Sequence, residues 1–123
     1  MTIETNKYLV AEYPWLKLGD NYDYTLLDIL PNGWRYLILE MCNKLKHKLI
    51  GHDIFDKYRV AEAKEKWNML AWYDYLDDDF KPIPDDIHEL VMEYEEKSKY
   101  ICMLCGKLKP ADKEICDVCK ERL

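Results

Sequence analysis

Four of the five cysteines form two closely spaced pairs near the C-terminal end of the sequence. Two residues separate Cys102 from Cys105, two separate Cys116 from Cys119, and ten lie between the pairs. Zinc in structural sites is bound by four ligands in a tetrahedron, and each Cys-x-x-Cys turn can supply two thiolates. Gly106 follows the first pair and suits a tight turn, because glycine tolerates positive φ. The spacing predicts one structural Zn²⁺ with no open coordination position at which water could be activated.

Disulfides and redox-active cysteine pairs use the same residue type but fit this pattern less well. Disulfides belong to oxidising compartments, and the sequence does not open with a charged and then apolar signal peptide. It also has no apolar stretch long enough to span a membrane. A thioredoxin-type pair belongs to a strand–helix context, whereas here two pairs lie within 18 residues. We therefore expect a metal-binding protein of the cytoplasm.

The segment around the second cysteine pair predicts how the metal element folds. Residues 116–123 can form the first turns of a terminal helix that carries ligands. A knuckle, a short hairpin and a ligand-bearing helix make a treble clef. A zinc ribbon would need a further strand after the second knuckle, and the sequence has no residues left for it. We expect a treble-clef-like zinc knuckle.

One long amphipathic helix is predicted over residues 33–50. Asn32 is its expected N-cap and Gly51 its expected end. Apolar residues recur with the helical period and should face the core; they are Trp34, Leu37, Ile38, Met41, Cys42, Leu45 and Leu49. Cys42 lies within this apolar stripe, which predicts a buried free thiol.

A hairpin and a second helix are predicted to follow. Residues 58–66 and 70–76 read as antiparallel strands joined by a turn at Asn68. A helix should run from Pro84 to about Lys99, because Pro84 suits the first helical turn. Its expected buried face consists of Ile87, Leu90, Val91 and Tyr94. The predicted fold class is α+β, with two main helices on a small hairpin, a core domain over 1–99 and a zinc element over 100–123. We also expect Trp67 and Trp72 to join the core.

Acidic residues concentrate where the hairpin meets the second helix. The net charge is −6, and ten carboxylates lie between Asp74 and Glu96 against Lys81 alone. Such a surface repels phosphate backbones, which disfavours nucleic acid, and it attracts a basic protein surface. The candidate partner-binding residues are Asp74, Asp77, Asp78, Asp79, Asp85 and Asp86. A solvated surface that keeps the protein soluble is the alternative reading.

The sequence contains no motif that indicates catalysis. His47, His52 and His88 are scattered, and no HExxH, GxxxxGK[ST], GxGxxG or GxSxG pattern occurs. We therefore expect no enzyme activity. A second hypothesis is a small-molecule (nucleotide-like) binder or an enzyme with an aromatic pocket, lined by Arg35, Lys64, Lys66, Trp67, Trp72 and Tyr73. A third is nucleic-acid binding through the zinc element, using Lys107, Lys109 and Lys113.

Several of these motifs together resemble a family of small, mostly uncharacterised phage and prophage proteins. The resemblance rests on Gly33-Trp34 at a helix start, on a segment similar to KEKFGxLRFY at 64–73, and on Cys-x-x-Cys-Gly at 102–106. Asn68 stands where the family has glycine, and Ala71 stands where it has arginine. Asparagine can also adopt positive φ, whereas the loss of arginine removes any anion-binding role there.

The resemblance implies a phage accessory protein and does not imply an enzyme. We expect such an acidic protein, rich in Tyr and Trp, to bind, and thereby block or sequester, a host factor such as a defence component in the host cytoplasm. The sequence leaves homo-oligomerisation open.

Overall fold

The computed structural model describes residues 1–78 and 81–123, which form an α+β fold. Five α-helices and two strands occur in these ranges, and they are α1 (Ile3–Glu12), α2 (Leu26–Ile29), α3 (Arg35–Gly51), β1 (Tyr58–Lys66), β2 (Met69–Leu76), α4 (Asp85–Ser98) and α5 (Asp117–Glu121). Short 3₁₀ turns lie at Pro14–Leu16, Asn32–Trp34 and Phe55–Lys57. The predicted fold class, with two main helices on an antiparallel hairpin and a C-terminal cysteine cluster, is confirmed.

Helix α3 forms the centre of the core, as its apolar stripe predicts. Every member of that stripe is buried except Leu37, which is partly exposed. The predicted ends need correction. Asn32 begins a 3₁₀ turn that precedes the α-helix, and Gly51 is the last helical residue. The chain leaves the helix through His52 and Asp53, and the positive φ of 58° is at Asp53.

The hairpin joins β1 and β2 through the two residues Trp67 and Asn68. Their φ values are 57° and 64°, so both are left-handed, as a type I′ turn requires. The pairing is regular from Lys66↔Met69 to Glu62↔Tyr73, and a bulge follows at Ala61. Trp67 is 87% exposed at the tip, so the expectation that it joins the core is wrong. A side chain on a two-residue turn projects beyond the strands, where no other element covers it.

Helix α4 lies along the outer edge of β2 and satisfies its backbone. The N–H of Leu70 donates to Ser98 Oγ at 2.8 Å, and the N–H of Trp72 donates to Glu95 Oε2 at 2.9 Å. The four residues predicted to form the inner face of this helix are all buried. The helix therefore both fills the core and closes one edge of the sheet.

The N-terminal third packs against the hairpin through an aromatic cluster. The ring of Trp15 meets that of Tyr58 edge-on at 5.3 Å and that of Phe55 at 5.8 Å. Its indole N–H donates to Cys42 Sγ at 3.3 Å. Burial raises the pKa of this thiol to about 12, although the hydrogen bond from Trp15 opposes the rise. Cys42 is thus a buried free thiol, as predicted.

Among the described residues, none of the helices combines the length and the apolar character that crossing a bilayer demands.

Candidate metal centre and neighbouring surfaces

The first cysteine pair lies on a tight knuckle directly after α4. Ile101 and Leu108 form an isolated antiparallel bridge at its base. The N–H of Gly106 donates to the carbonyl of Cys102 at 2.9 Å, and the φ of Gly106 is +80°. Glycine meets this backbone requirement without steric cost, as its place in the sequence predicted.

The second cysteine pair begins the terminal helix. Cys116 is the N-cap of α5, and Cys119 lies within its first turn. The N–H of Cys116 donates to Cys102 Sγ at 3.3 Å, which joins the two pairs. The knuckle and the ligand-bearing helix α5 follow one another in the predicted order, whereas the short hairpin expected with them is reduced to the Ile101–Leu108 bridge at the base of the knuckle.

The four sulfur atoms are close enough to share one metal ion. All lie within 4.8 Å of one another, and those of Cys105 and Cys116 are 3.6 Å apart. A zinc–sulfur bond of about 2.3 Å in a regular tetrahedron would separate the sulfurs by about 3.8 Å. None of these cysteines forms a disulfide. Cys102, Cys105, Cys116 and Cys119 could therefore hold a metal ion with four thiolates.

The protein environment already favours a thiolate at one ligand. Burial by itself would raise the pKa of Cys102, but hydrogen bonds from backbone N–H groups of the two loops outweigh it and lower this pKa to about 6. Burial and the neighbouring sulfurs raise the pKa of Cys119 to about 12. Four adjacent thiolates repel one another, so a cation between them is the natural source of compensation.

The metal element is docked on the start of α3. The N–H of Gly33 donates to the carbonyl of Met103 at 2.8 Å, and the indole N–H of Trp34 donates to the carbonyl of Ile101 at 3.2 Å. A Cβ atom at Gly33 would lie 1.9 Å from the carbonyl oxygen of Cys102. The Gly-Trp pair is therefore a contact surface for the knuckle, a role that the sequence pattern did not reveal. The domain boundary at residue 99 stays a prediction.

The loop between the cysteine pairs holds the tip of the hairpin. Asn68 Nδ2 donates to the carbonyls of Ala111 at 2.8 Å and Lys113 at 2.7 Å. Glu65 Oε1 accepts from the N–H of Asn68 at 2.8 Å. Sequence reasoning identified Asn68 as a turn residue but missed that its side chain reaches the metal element. A local sequence pattern cannot predict a contact between residues more than 40 positions apart in the chain.

Buried Lys109 fastens the same loop to the end of α4. Its Nζ donates to the carbonyls of Lys99 at 2.5 Å and Pro110 at 3.3 Å. Burial lowers the pKa of this ammonium group. The side chain is thus engaged within the protein, whereas Lys107 and Lys113, the other cations proposed for nucleic-acid binding, are exposed.

The candidate acidic surface is in large part paired with cations of the same chain. Asp78 contacts Lys57 at 2.9 Å and Lys81 at 3.3 Å. Asp77 contacts Arg59 at 3.7 Å and is 70% exposed at its side chain. These lysines and this arginine lower the negative charge that the sequence implies for the surface.

The remaining candidate aspartates differ in their surroundings. Asp74 is half-buried and accepts from the hydroxyl of Tyr58 at 2.6 Å. Asp86 contacts His52 at 2.9 Å and Lys48 at 3.6 Å. Asp85 is exposed at the start of α4. Asp79, the sixth residue of this set, lies outside the described residues.

The six residues proposed for an aromatic pocket are spread over several surroundings. Trp72 is buried, and its indole N–H donates to the hydroxyl of Tyr58 at 2.9 Å. Lys64 Nζ lies 5.9 Å from the ring centre of Tyr73 on the open face of the hairpin. Lys66 and Trp67 are exposed towards the tip. Arg35 lies in a different cleft, beside Gly33 and the knuckle.

A groove of about 700 Å³ lies beside β1 and was not foreseen from the sequence. One wall is residues 60–65 of the strand, and the other is formed by the chain around Leu18, by Leu26 and by residues 29–32. The apolar residues of 13–31 are dense but irregularly spaced, and this segment contains the 3₁₀ turn Pro14–Leu16 and the four-residue helix α2.

Comparison with known protein families, with curated proteins and with solved structures finds no match to this chain.

Proposed function

We propose that this chain is a non-catalytic binding protein whose C-terminal element is held by one structural Zn²⁺. The observation that carries the proposal is the cluster of four sulfurs within 4.8 Å. Four soft ligands that can surround one ion favour zinc or an iron–sulfur site, and the sulfur spacing supports a single ion of tetrahedral geometry. Four protein thiolates leave no coordination position for a substrate. The metal then stabilises the scaffold, and the activity is binding.

The partner we propose is a host protein with a basic surface, bound by an accessory protein of phage origin. Carboxylates grouped from Asp74 to Asp86 support a charge-steered encounter, because clustered charge raises association rates more than affinity. The intramolecular ion pairs of Asp77, Asp78 and Asp86 reduce that field, so steering should be modest. Asp77 and Asp85 are the aspartates best placed to meet a partner.

Metal analysis of protein prepared under reducing conditions tests the zinc proposal. We expect one zinc per chain and, after replacement by cobalt, the visible absorption of a tetrahedral thiolate site. Iron with the colour of an iron–sulfur centre would contradict the assignment, as would a preparation without metal whose four thiols all react rapidly.

The partner proposal is tested by capture from a bacterial lysate followed by kinetics with the recovered protein. Asp77→Lys together with Asp85→Lys should slow association at low salt and weaken its dependence on salt. A control that changes the charge equally is Asp20→Lys with Asp23→Lys, two exposed aspartates of the 19–23 loop. Equal slowing by both pairs would mean that net charge, and not this surface, steers the encounter.

A further inference from the structure

The four cysteines of the metal centre differ in how far solvent reaches them. Cys105 is exposed and Cys116 is partly buried, whereas Cys102 and Cys119 are buried, with 0% and 8% of their surface exposed. Oxidation of cysteine depends on thiolate character and on access to the sulfur. Cys105 is therefore the ligand that an oxidant from solution would reach first.

A cleft leads to the exposed cysteine from solvent. It has a volume of about 800 Å³ and lies between the start of α3 and the knuckle. Cys105 lines this cleft, whereas Cys102, Cys116 and Cys119 do not. Gly33 and Gly106 form part of its walls, and neither carries a side chain that could close over the sulfur. A molecule as small as hydrogen peroxide can therefore enter and reach Cys105.

A second sulfur is placed close to the exposed one. The sulfur of Cys116 lies 3.6 Å from that of Cys105, and a disulfide requires about 2.05 Å. Cys105 lies in the turn of the knuckle and Cys116 is the N-cap of α5, so both side chains start outside the body of a helix. Rotation of these two side chains can bring the sulfurs together. Cys116 is thus the candidate to form a disulfide with an oxidised Cys105.

The proposed zinc site also keeps the sulfurs in their reactive form. Thiols that coordinate zinc are deprotonated, and the thiolate is the nucleophilic form of cysteine. Zinc has no redox chemistry of its own in such a site. Electrons that an oxidant takes from this centre therefore come from the cysteine sulfurs.

We infer that Cys105 is an oxidation site at which a hydroperoxide expels the metal. The Cys105 thiolate attacks one oxygen of hydrogen peroxide, the O–O bond breaks, and hydroxide leaves while the sulfur becomes a sulfenic acid. The Cys116 thiolate then attacks this sulfur, the S–O bond breaks, and a second hydroxide leaves as the disulfide forms. The two sulfurs lose two electrons and the peroxide gains them. Each hydroxide takes a proton from solvent and becomes water.

Formation of the disulfide should loosen the contacts of the metal element with the rest of the fold. The ion loses two of its four thiolate ligands, which removes most of the binding energy that orders the element. The knuckle contacts Gly33, and the loop between the cysteine pairs contacts Asn68, so both contacts should weaken. Thiols reduce disulfides, so the change is reversible. This inference rests on the proposed zinc site and adds its regulation by oxidation.

The inference is tested on the full-length, zinc-loaded protein with hydrogen peroxide and a dye that reports free zinc. We expect one zinc per chain to be released, at a rate proportional to the peroxide concentration. Peptide mapping should find a disulfide between Cys105 and Cys116. A dione reagent that traps sulfenic acids should label Cys105 before any other cysteine. Dithiothreitol with added zinc should restore the metal content and slow hydrogen exchange at the hairpin turn.

Cys105→His removes the exposed sulfur and keeps a fourth ligand, because histidine also binds zinc. We expect zinc release by peroxide to slow at least tenfold in this variant. Cys119→His is the matched control, since it gives the same set of ligand types at a buried position and retains Cys105. Its release rate should match that of the unchanged protein. Metal analysis shows beforehand whether each variant holds one zinc, and if one does not, trapping in the unchanged protein decides.

Four results would overturn the inference. The first is trapping that labels Cys102, Cys116 or Cys119 before Cys105. The second is a disulfide within one Cys-x-x-Cys pair in place of the one between the pairs. The third is equally fast zinc release from Cys105→His and Cys119→His. The fourth is zinc that stays bound in excess peroxide, which would leave the proposed zinc site standing. Purified protein without zinc would instead contradict the proposed function, and the inference with it.

Discussion

Asn68 combines a left-handed backbone with a side chain that holds the metal element. Replacing it with alanine removes two hydrogen bonds to the 111–113 loop. Alanine must also adopt the positive φ of 64°, which is less favourable for alanine than for asparagine. Each lost bond costs about 0.5–1.5 kcal/mol and the backbone penalty is about 1 kcal/mol. We expect Asn68→Ala to lower the free energy of unfolding by about 2–4 kcal/mol, measured by chemical denaturation with the same metal content as the unchanged protein.

Asn68→Gly separates the two effects, because glycine accepts positive φ but cannot bond the loop. It should be destabilised less than Asn68→Ala by about 1 kcal/mol. Equal stability of the glycine variant and the unchanged protein would show that the two bonds contribute nothing.

The contribution of Asp74 and Glu95 to stability should be more favourable in mild acid than at neutral pH. Burial raises the pKa of both carboxyl groups. The hydrogen bonds that each group accepts and the electrostatic effect of His88 lower the pKa, but burial is the larger effect. An acid whose folded pKa exceeds its unfolded pKa costs stability when ionised, and the cost disappears as the pH falls through the folded pKa. Asp74→Asn retains an acceptor for the Tyr58 hydroxyl. It should therefore flatten the pH dependence of unfolding in the range above the ordinary pKa of aspartate.

Asp77→Asn is the control for that measurement, since Asp77 is exposed and its carboxylate contacts only Arg59 at 3.7 Å among the described residues. A pH profile that changes equally in both variants would contradict a specific role for the buried carboxyl.

At the scale of elements, the start of α3 and the knuckle meet through two glycines. A Cβ on Gly33 would fall 1.9 Å from the Cys102 carbonyl oxygen, and one on Gly106 would fall 2.9 Å from the Gly33 carbonyl oxygen. Both obstacles are backbone atoms, so neither can be relieved by a side-chain rotation. Gly33→Ala should destabilise the protein by at least about 3 kcal/mol and weaken metal binding in a competition with a chelator.

Gly51→Ala provides the contrast at the opposite end of α3. Nothing lies within 4 Å of a Cβ at that position, and its φ is not left-handed. We expect a gain of up to about 1 kcal/mol, because alanine is the better helix former. If Gly33→Ala were tolerated as well as Gly51→Ala, the knuckle would not be seated on α3.

At the scale of the whole molecule, loss of metal should loosen more than the C-terminal element. The loop between the cysteine pairs contacts the hairpin tip through Asn68, and the knuckle contacts α3 through Gly33. Structural zinc contributes about 10–16 kcal/mol of apparent binding energy in finger peptides. Cys105→Ser or chelation should therefore speed hydrogen exchange at the C-terminal element and at the hairpin turn.

Cys42→Ala serves as the control, because this thiol is buried beside Trp15 and does not belong to the cluster of four cysteines. It should keep one metal per chain. Unchanged exchange at the hairpin turn after complete removal of metal would contradict the coupling.

The sequence by itself determined the features whose signals are local. The stripe of α3 and the inner face of α4 follow the 3.6-residue period, and the metal ligands follow paired spacing that one short loop can satisfy. The hairpin strands were predicted because Asn68 and the aromatic residues around it are turn and strand formers. The ends of α3 were placed less well, since the local backbone and not residue type alone decides where a helix stops.

Only the tertiary structure decided which surfaces meet. Trp67 is exposed and Trp72 is buried although both are tryptophans of one hairpin, because burial depends on what packs over each position. The pairing of Asp78 with Lys57, the seat of the knuckle on Gly33 and the groove beside β1 each join residues that are distant along the chain. Periodicity and spacing describe neighbours within about one turn or one loop. Contacts between elements depend on how those elements pack in three dimensions, which no local pattern specifies.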